Sequence, residues 1–328
     1  MDRADRLAGC LVGGAIGDAL GLPLEGIRRE RARRMFRGDL RYRFLLGRGM
    51  VSDDTEHACI AALALARARN DDERFARYIA SGLRAWLCTI PAGAGLATLK
   101  ATLRLCVGVP PSRSGVRSAG NGPAMRAAII GAAEDDPVRM RRLCDISSRI
   151  THTDPRALDG AYLVALAASA KPASPELATD CWHLGEIEAA LASGKTPAEF
   201  ADDLGLDKGV TGFVAHTVPM ALYCAEWARG DFEKAIRAAA ALGGDTDTLC
   251  AIVGGIVGAR VGYSGLPDRW VRGLWEWPRS VSWMLRLVAA LANEKPPPRT
   301  FWPAYLARSP LFIGGVLAHG LRRLLPPH

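Results

Sequence analysis

The chain has 328 residues, 49% of them hydrophobic and 23% charged, with a net charge of +8, enough apolar material to bury a large core in one big domain or two small ones. Its eight cysteines stand singly, without CxxC or CxxH pairs, which excludes a disulfide framework or a Cys/His zinc site and fits core thiols in a reducing compartment. The arginine surplus has no recognition motif with interleaved aromatics beside it, so no nucleic-acid partner is expected.

In chain order, Leu7 to Leu24 is apolar, but Asp18 and five glycines interrupt it and Asp2 and Asp5 precede it, so it reads neither as a signal peptide nor as a membrane span. A soluble, cytoplasmic, monomeric protein is expected. Residues 28 to 48 carry nine arginines against Glu30 and Asp39, a basic surface that is either a solvated face or a guide for an anionic substrate or acidic partner. From there the apolar residues recur at three and four spacing over 56–69, 75–87, 125–133, 158–170, 184–191, 214–227, 232–242 and 280–291, and no alternating strand run competes. Gly and Pro clusters at 91–95, 108–123, 205–212 and 243–244 are expected to be the loops that line a site. The fold class is all-α, roughly a dozen helices in a single large domain over residues 1–294. Lys295-Pro296-Pro297-Pro298 then opens a tail over 295–328 as a stiff spacer. Beyond it lie Phe301, Trp302, Tyr305, Leu311, Phe312 and Ile313, then the apolar run Gly314 to Leu325 with Arg322 and Arg323. Such a basic amphipathic segment either packs on its own domain or makes a weak contact with an anionic membrane surface.

Two carboxylate clusters dominate the chemistry, Ser52-Asp53-Asp54-Thr55-Glu56 and Gly243-Gly244-Asp245-Thr246-Asp247-Thr248. Each precedes an apolar helical run, so its acids lie at a helix N-terminus, where free N–H groups and the dipole favour anions. A cap needs one side-chain oxygen, whereas these turns each supply two aspartates and hydroxyls besides. Aspartates gathered in one place repel unless a cation joins them, and an all-oxygen donor set suits Mg²⁺ or Mn²⁺ rather than zinc.

Four further segments accompany the clusters: Gly13-Gly14-Ala15-Ile16-Gly17-Asp18-Ala19-Leu20-Gly21 with Glu25, Ser118-Ala119-Gly120-Asn121-Gly122-Pro123-Ala124-Met125-Arg126, Ser148-Arg149-Ile150-Thr151-His152, and Gly254-Gly255-Ile256-Val257-Gly258-Ala259-Arg260. Together, and in this order, they closely resemble the ADP-ribosylglycohydrolase family, which includes the enzyme that reactivates dinitrogenase reductase and eukaryotic ADP-ribosylhydrolases. The resemblance spans about residues 7 to 293. It implies an all-α orthogonal multi-helix bundle with a dinuclear centre of two Mg²⁺ (or Mn²⁺) that hydrolyses the bond between ADP-ribose and a modified group. Carried over, Ser52, Asp53 and Asp54 hold metal from one side and Asp245, Asp247 and Thr248 from the other, with Ser52 where many relatives have Thr. Ser118, Gly120, Asn121, Gly122 and His152 fall in the substrate site, the glycine-rich turn meeting the diphosphate and distal ribose. Glu25, Asp54 and Asp247 are the catalytic candidates.

The residue types suit that chemistry in their own right. Cleavage at an anomeric carbon builds positive charge on the ribose and needs an activated water and help for the leaving group, and a metal pair orients a diol and lowers the pKa of a water. Glu25 or a metal-bound aspartate takes the proton. One departure bears on the substrate: where the nitrogenase-linked enzyme has Asp-Val-Gly-Asn after a proline, Pro91 here is followed by Ala92-Gly93-Ala94-Gly95-Leu96, closer to the Gly-x-Gly loop of other relatives. The resemblance thus leaves arginine- and serine-linked ADP-ribosylated proteins both open as partners. A small-molecule ADP-ribose conjugate and a catalytically silent ADP-ribose-binding protein are the competing readings, and the intact acid clusters weigh against the silent one.

Overall fold

A computed structural model describes residues 1–35, 40–44, 47–91, 93–170, 175–299 and 302–324. Among them are seventeen α-helices, three 3-10 turns and no sheet, extended backbone pairing only in isolated bridges such as Ile27 with Gly244 and Val116 with His152. The all-α expectation is borne out. The helices outnumber the expected dozen because several are short or strongly polar: Pro137–Arg149 is rich in arginine, and Pro197–Asp203 is barely two turns. Both are nonetheless well signalled at their starts, by Asp136 accepting from the Val138 N–H and by a Thr196/Glu199 capping box, each with proline at a first-turn position where its missing N–H costs nothing.

The fold is organised around an antiparallel pair, the helix Arg3–Gly21 against the helix Thr246–Val261. Gly9, Gly13, Gly17 and Gly21 recur every fourth residue, one per turn on a single face, and a Cβ added to them would stand 2.2 Å from the Gly258 carbonyl oxygen, 2.5 Å from that of Gly254, 2.0 Å from that of Cys250 and 2.3 Å from that of Thr246. Gly254 and Gly258 answer with equally close approaches to Gly13 and Gly9. The backbones therefore touch from Gly9 to Gly21 on one helix and from Thr246 to Gly258 on the other. The sequence motif carrying Asp18 is to this extent a packing motif, and it places the C-terminal turn of the first helix beside the N-terminal turn of the other. By length and composition the first helix could cross a membrane, but 94% of its most apolar window is buried inside the fold.

The helix Asp53–Ala68 lies across this pair with its N-terminus at the same end, capped by Ser52. Of the basic stretch, Arg29 is buried and paired with Asp202, while Arg28, Arg31, Arg33 and Arg34 are exposed, Arg34 paired with Glu30. Residues 36–39 and 45–46 of that stretch lie outside the described residues, as do Ala92 and Phe301. The tail forms the helix Trp302–Leu324. Its inner face docks on the domain, with Tyr305 buried and Phe312 joining Leu22, Phe44 and Met50 in a small apolar cluster, while Leu306, Leu311, Leu317 and Leu321 remain exposed on its outer side.

Candidate active site

The two acid clusters, far apart in sequence, meet. Ser52 caps its helix in extended conformation, its hydroxyl donating to Asp54 Oδ2 at 3.0 Å. From the second cluster the Thr248 hydroxyl donates to the same Asp54 Oδ2 at 3.2 Å. The Gly243–Gly244 turn that delivers Asp245 needs φ of 71° and 84°, a region in which a Cβ is strained. It is stitched on both sides, with Gly244 N donating to Ile27 O and Gly26 N to Gly244 O, each at 2.8 Å, and Val210 N to Gly243 O at 3.0 Å. These bonds hold Glu25 at the rim, exposed, just past the 3-10 turn Leu22–Leu24.

Asp18, quoted in the sequence motif without a role, shapes the first cluster. It is fully buried and accepts from Ser52 N at 3.0 Å, Thr55 N at 3.1 Å and the Thr55 hydroxyl at 2.5 Å, taking up the free N–H groups of the helix start. Burial outweighs these donors and pushes its carboxyl up to about 6. Burial, then Asp18 and Glu56, hold the Asp53 carboxyl well above the usual range. For Asp54 the causes are burial, then Asp18, Asp53 and Asp245, and for Asp247 burial, then Asp54, Glu25 and Asp245. The acids face one another across a short gap. Asp53, Asp54 and Asp247 resist ionisation first because they are buried and then because their neighbours are acids.

As the side chains stand, no group of three or more His, Cys, Asp or Glu among the described residues is drawn tightly enough together to hold an ion. The donor chemistry nonetheless fits one. Among the described residues, Asp54 Oδ1 and Asp247 Oδ1 are buried and have no hydrogen-bond partner, an arrangement native interiors rarely leave uncompensated. Hydroxyls of Ser52 and Thr248 and carboxylates of Asp53 and Asp245 adjoin them, an all-oxygen set of the kind that Mg²⁺ or Mn²⁺ prefers. Glu56, the last acid of the first cluster, belongs elsewhere: it turns away to Arg279 at 2.5 Å and Trp86 Nε1 at 2.8 Å.

The glycine-rich turn lies against the second cluster. Asn121 spends both amide hydrogens, donating from Nδ2 to Asp245 Oδ2 at 2.7 Å and to the Thr217 hydroxyl at 3.1 Å, which leaves its Oδ1 for a ligand. Ser118 Oγ accepts from Gly120 N at 3.3 Å and is half-buried. His152 is buried under the turn. A Cβ on Gly120 would stand 3.1 Å from His152 Nε2, and one on Gly122 2.9 Å from Cε1, so the imidazole is the floor on which these glycines rest. Burial, with Arg126 beside it, depresses its pKa to about 3, and the ring is neutral at any physiological pH. Arg126 is a residue the sequence reading quoted but gave no part. It is 1% exposed and has no carboxylate partner among the described residues; it donates to Gly122 O at 2.9 Å, Ser147 O at 2.8 Å and the Thr151 hydroxyl at 2.7 Å. Burial lowers its pKa to about 10, so a full positive charge sits beneath the turn.

A second hollow, about 150 Å³, opens behind the acid clusters between the helices Asp53–Ala68 and Asp72–Leu87, lined by Arg67, Tyr78, Trp86, Arg279 and Tyr305. It contains none of the site residues expected from sequence.

The family model for ADP-ribosylglycohydrolase matches residues 1–300, and the chain belongs to that family. Among its relatives are an uncharacterized protein of Archaeoglobus fulgidus, 33% identical over 291 residues that make up 82% of this chain and 92% of the other, and the ADP-ribosylarginine hydrolase Tri1 of Pseudomonas putida, 29% identical over 81% of this chain and 73% of its own. Human ADP-ribosylhydrolase ARH3 is 26% identical over 48% of this chain and 54% of its own. A solved chain described as an ADP-ribosylglycohydrolase-related protein complex superposes with a TM-score of 0.62 at 27% identity, covering 90% of this chain and 99% of that one.

Proposed function

We propose that the protein is a divalent-metal-dependent hydrolase that releases ADP-ribose from an ADP-ribosylated protein side chain. The observation that carries this reading is the meeting of two aspartate clusters at two helix N-termini, with Asp54 Oδ1 and Asp247 Oδ1 buried and unpartnered. Ser52, Asp53, Asp54, Asp245, Asp247 and Thr248 would hold the metals. Bound there, Mg²⁺ or Mn²⁺ would polarise water and orient the ribose hydroxyls.

The chain's own residues do the rest. The turn Ser118–Gly122, with its backbone N–H groups and the Arg126 charge below it, is suited to a diphosphate. Asn121 couples that turn to Asp245, so a substrate seated on it has its ribose next to the acids. As the bond from the anomeric carbon to the side chain breaks, a water oxygen bonds to that carbon. A carboxylate takes the water's proton, and the departing group gains one. Glu25, exposed at the rim, exchanges protons with solvent readily and suits that base role. The exposed arginines 28, 31, 33 and 34 attract an anionic substrate to the rim. An arginine linkage is the first to try, because the relative named for that bond aligns over most of the chain.

The test is release of free ADP-ribose from arginine-linked and serine-linked ADP-ribosyl peptides, with Mg²⁺, with Mn²⁺ and with EDTA. Metal-dependent release from one peptide is expected and names the bond. Binding of ADP-ribose with no release from either would point instead to a binding protein or to a small-molecule conjugate as substrate.

A further inference from the structure

Behind the first acid cluster lies a buried set of charges that the proposed chemistry does not use. Arg308, from the C-terminal helix, donates from Nε to Glu276 Oε1 at 2.6 Å and from Nη2 to Glu276 Oε2 at 3.1 Å and to the Val51 carbonyl at 2.6 Å. Glu276 Oε2 in turn accepts from Val51 N at 3.2 Å. Both polar groups of Val51 are thus gripped by one Arg–Glu pair, and the next residue is Ser52. Further along, Glu56 is held by Arg279, by Trp86 and by Arg308 Nη1 at 3.4 Å. The turn Ser52–Asp54 is therefore fastened at both ends from the segment 276–308, with Asp18 at its middle. All four charged groups are nearly inaccessible, Glu56 at 4%, Glu276 at 3%, Arg279 at 9% and Arg308 at 6% exposed.

We infer that Glu276 and Arg308 are positioning residues: a clamp that sets where the Ser52–Asp54 turn sits, which makes the C-terminal helix part of the active-site frame. The inference rests on the metal-site reading above for its functional consequence, but on geometry alone for the clamp. The set of two arginines and two glutamates carries no net charge. Its contribution is geometric. Buried ion pairs are a weak source of stability, since apolar residues of equal volume serve as well. A planar guanidinium bonding a carboxylate and a carbonyl at once fixes orientation in a way that lysine cannot. Arg308 also lies beyond residue 300, where the family match ends, so this chain draws the support from outside its matched segment.

The experiment compares the full-length wild type with Glu276→Gln/Arg308→Met, which removes the clamp without leaving a charge unpaired, and with Arg308→Lys, which keeps the charge and loses the fork. Amide hydrogen exchange over residues 51–54 is followed in metal-free protein, with the Thr246–Val261 helix as internal reference, and Mn²⁺ affinity by calorimetry. Exchange at 51–54 is expected to quicken about tenfold or more with the reference unchanged, and Mn²⁺ affinity to fall on the order of tenfold, as for other groups that orient metal ligands. A folded double variant, or failing that a folded Arg308→Lys, whose residues 51–54 exchange as in wild type would overturn the clamp. If exchange quickens but the wild type itself binds no Mn²⁺, the clamp stands and the metal reading falls.

Discussion

Asp18 shapes the acid site without facing the gap that the other aspartates share. Its oxygens accept from Ser52 and Thr55, and its charge is one reason that Asp53 and Asp54 resist ionisation. This has a measurable sign. An aspartate raised from 3.8 to about 6 binds its proton more tightly folded than unfolded, so the stability it confers is complete below pH 3.8 and is lost as pH rises through about 6. Asp53, Asp54 and Asp247 push the same way. In EDTA the urea midpoint should fall as pH goes from 4.5 to 6.5, and Asp18→Asn should flatten that slope; a midpoint that rises over this range would contradict the assignment. Asp247→Asn should separate function from stability. It relieves like-charge repulsion, so the melting temperature of the metal-free protein should rise, while hydrolysis should drop by about 100-fold or more as a metal ligand is lost. At this scale the clusters were legible from surplus acids before helices. Asp18 was written in the motif but its role was not, because one acid in an apolar run does not say which distant backbone it will bond. Arg126 escaped for the same reason, and Glu56 turned out to belong to another network.

Helices follow the apolar pattern closely in places: 214–227 is a helix over the expected span, and the helix expected over 184–191 runs one residue further, to Ala192. The expected helix over 125–133 is instead a 3-10 turn, Ala124–Arg126, followed by the helix Ala128–Ala133. The tighter turn carries Arg126 inward to Gly122 and Ser147, a tertiary demand that local pattern does not register. The glycines of the first helix are another such case. Their spacing is plain in the sequence, but their partner is a helix more than two hundred residues away. They are not equivalent. Gly17→Ala would press a methyl against the Cys250 carbonyl at 2.0 Å and should cost roughly 3 kcal/mol or prevent folding. Gly14→Ala meets nothing nearer than 3.4 Å and should be neutral or gain up to about 1 kcal/mol from helix propensity. Melting temperatures of the two variants decide this, and equal losses would mean that the helices are not in backbone contact.

For the whole molecule, the proposed metal site would link ion binding to folding. A cation that binds only the folded chain adds about 2.7 kcal/mol of stability at a concentration of 100 times its dissociation constant. Mn²⁺ titrated into EDTA-stripped protein should therefore raise the melting temperature progressively, and Asp247→Asn should blunt the rise; no shift in wild type would count against the site. The order of the six motifs made the family and its all-α architecture readable in advance. The contact between the tail and the site was not readable, since a proline-led basic segment carries no mark of what its inner face will meet.

The pairing of Gly9 to Gly21 with Thr246 to Gly258 also governs how the protein comes into being. The first helix leaves the ribosome early and waits for a mate that is synthesised much later, so the central contact closes a very long loop, a slow event in any chain whose contacts are this remote. A nascent chain that stops short of Thr246 lacks Asp247 and Thr248, and its glycine face has nothing to rest on. Until then the apolar face of that helix lacks its mate, and premature termination before Thr246 would remove half of the acid site.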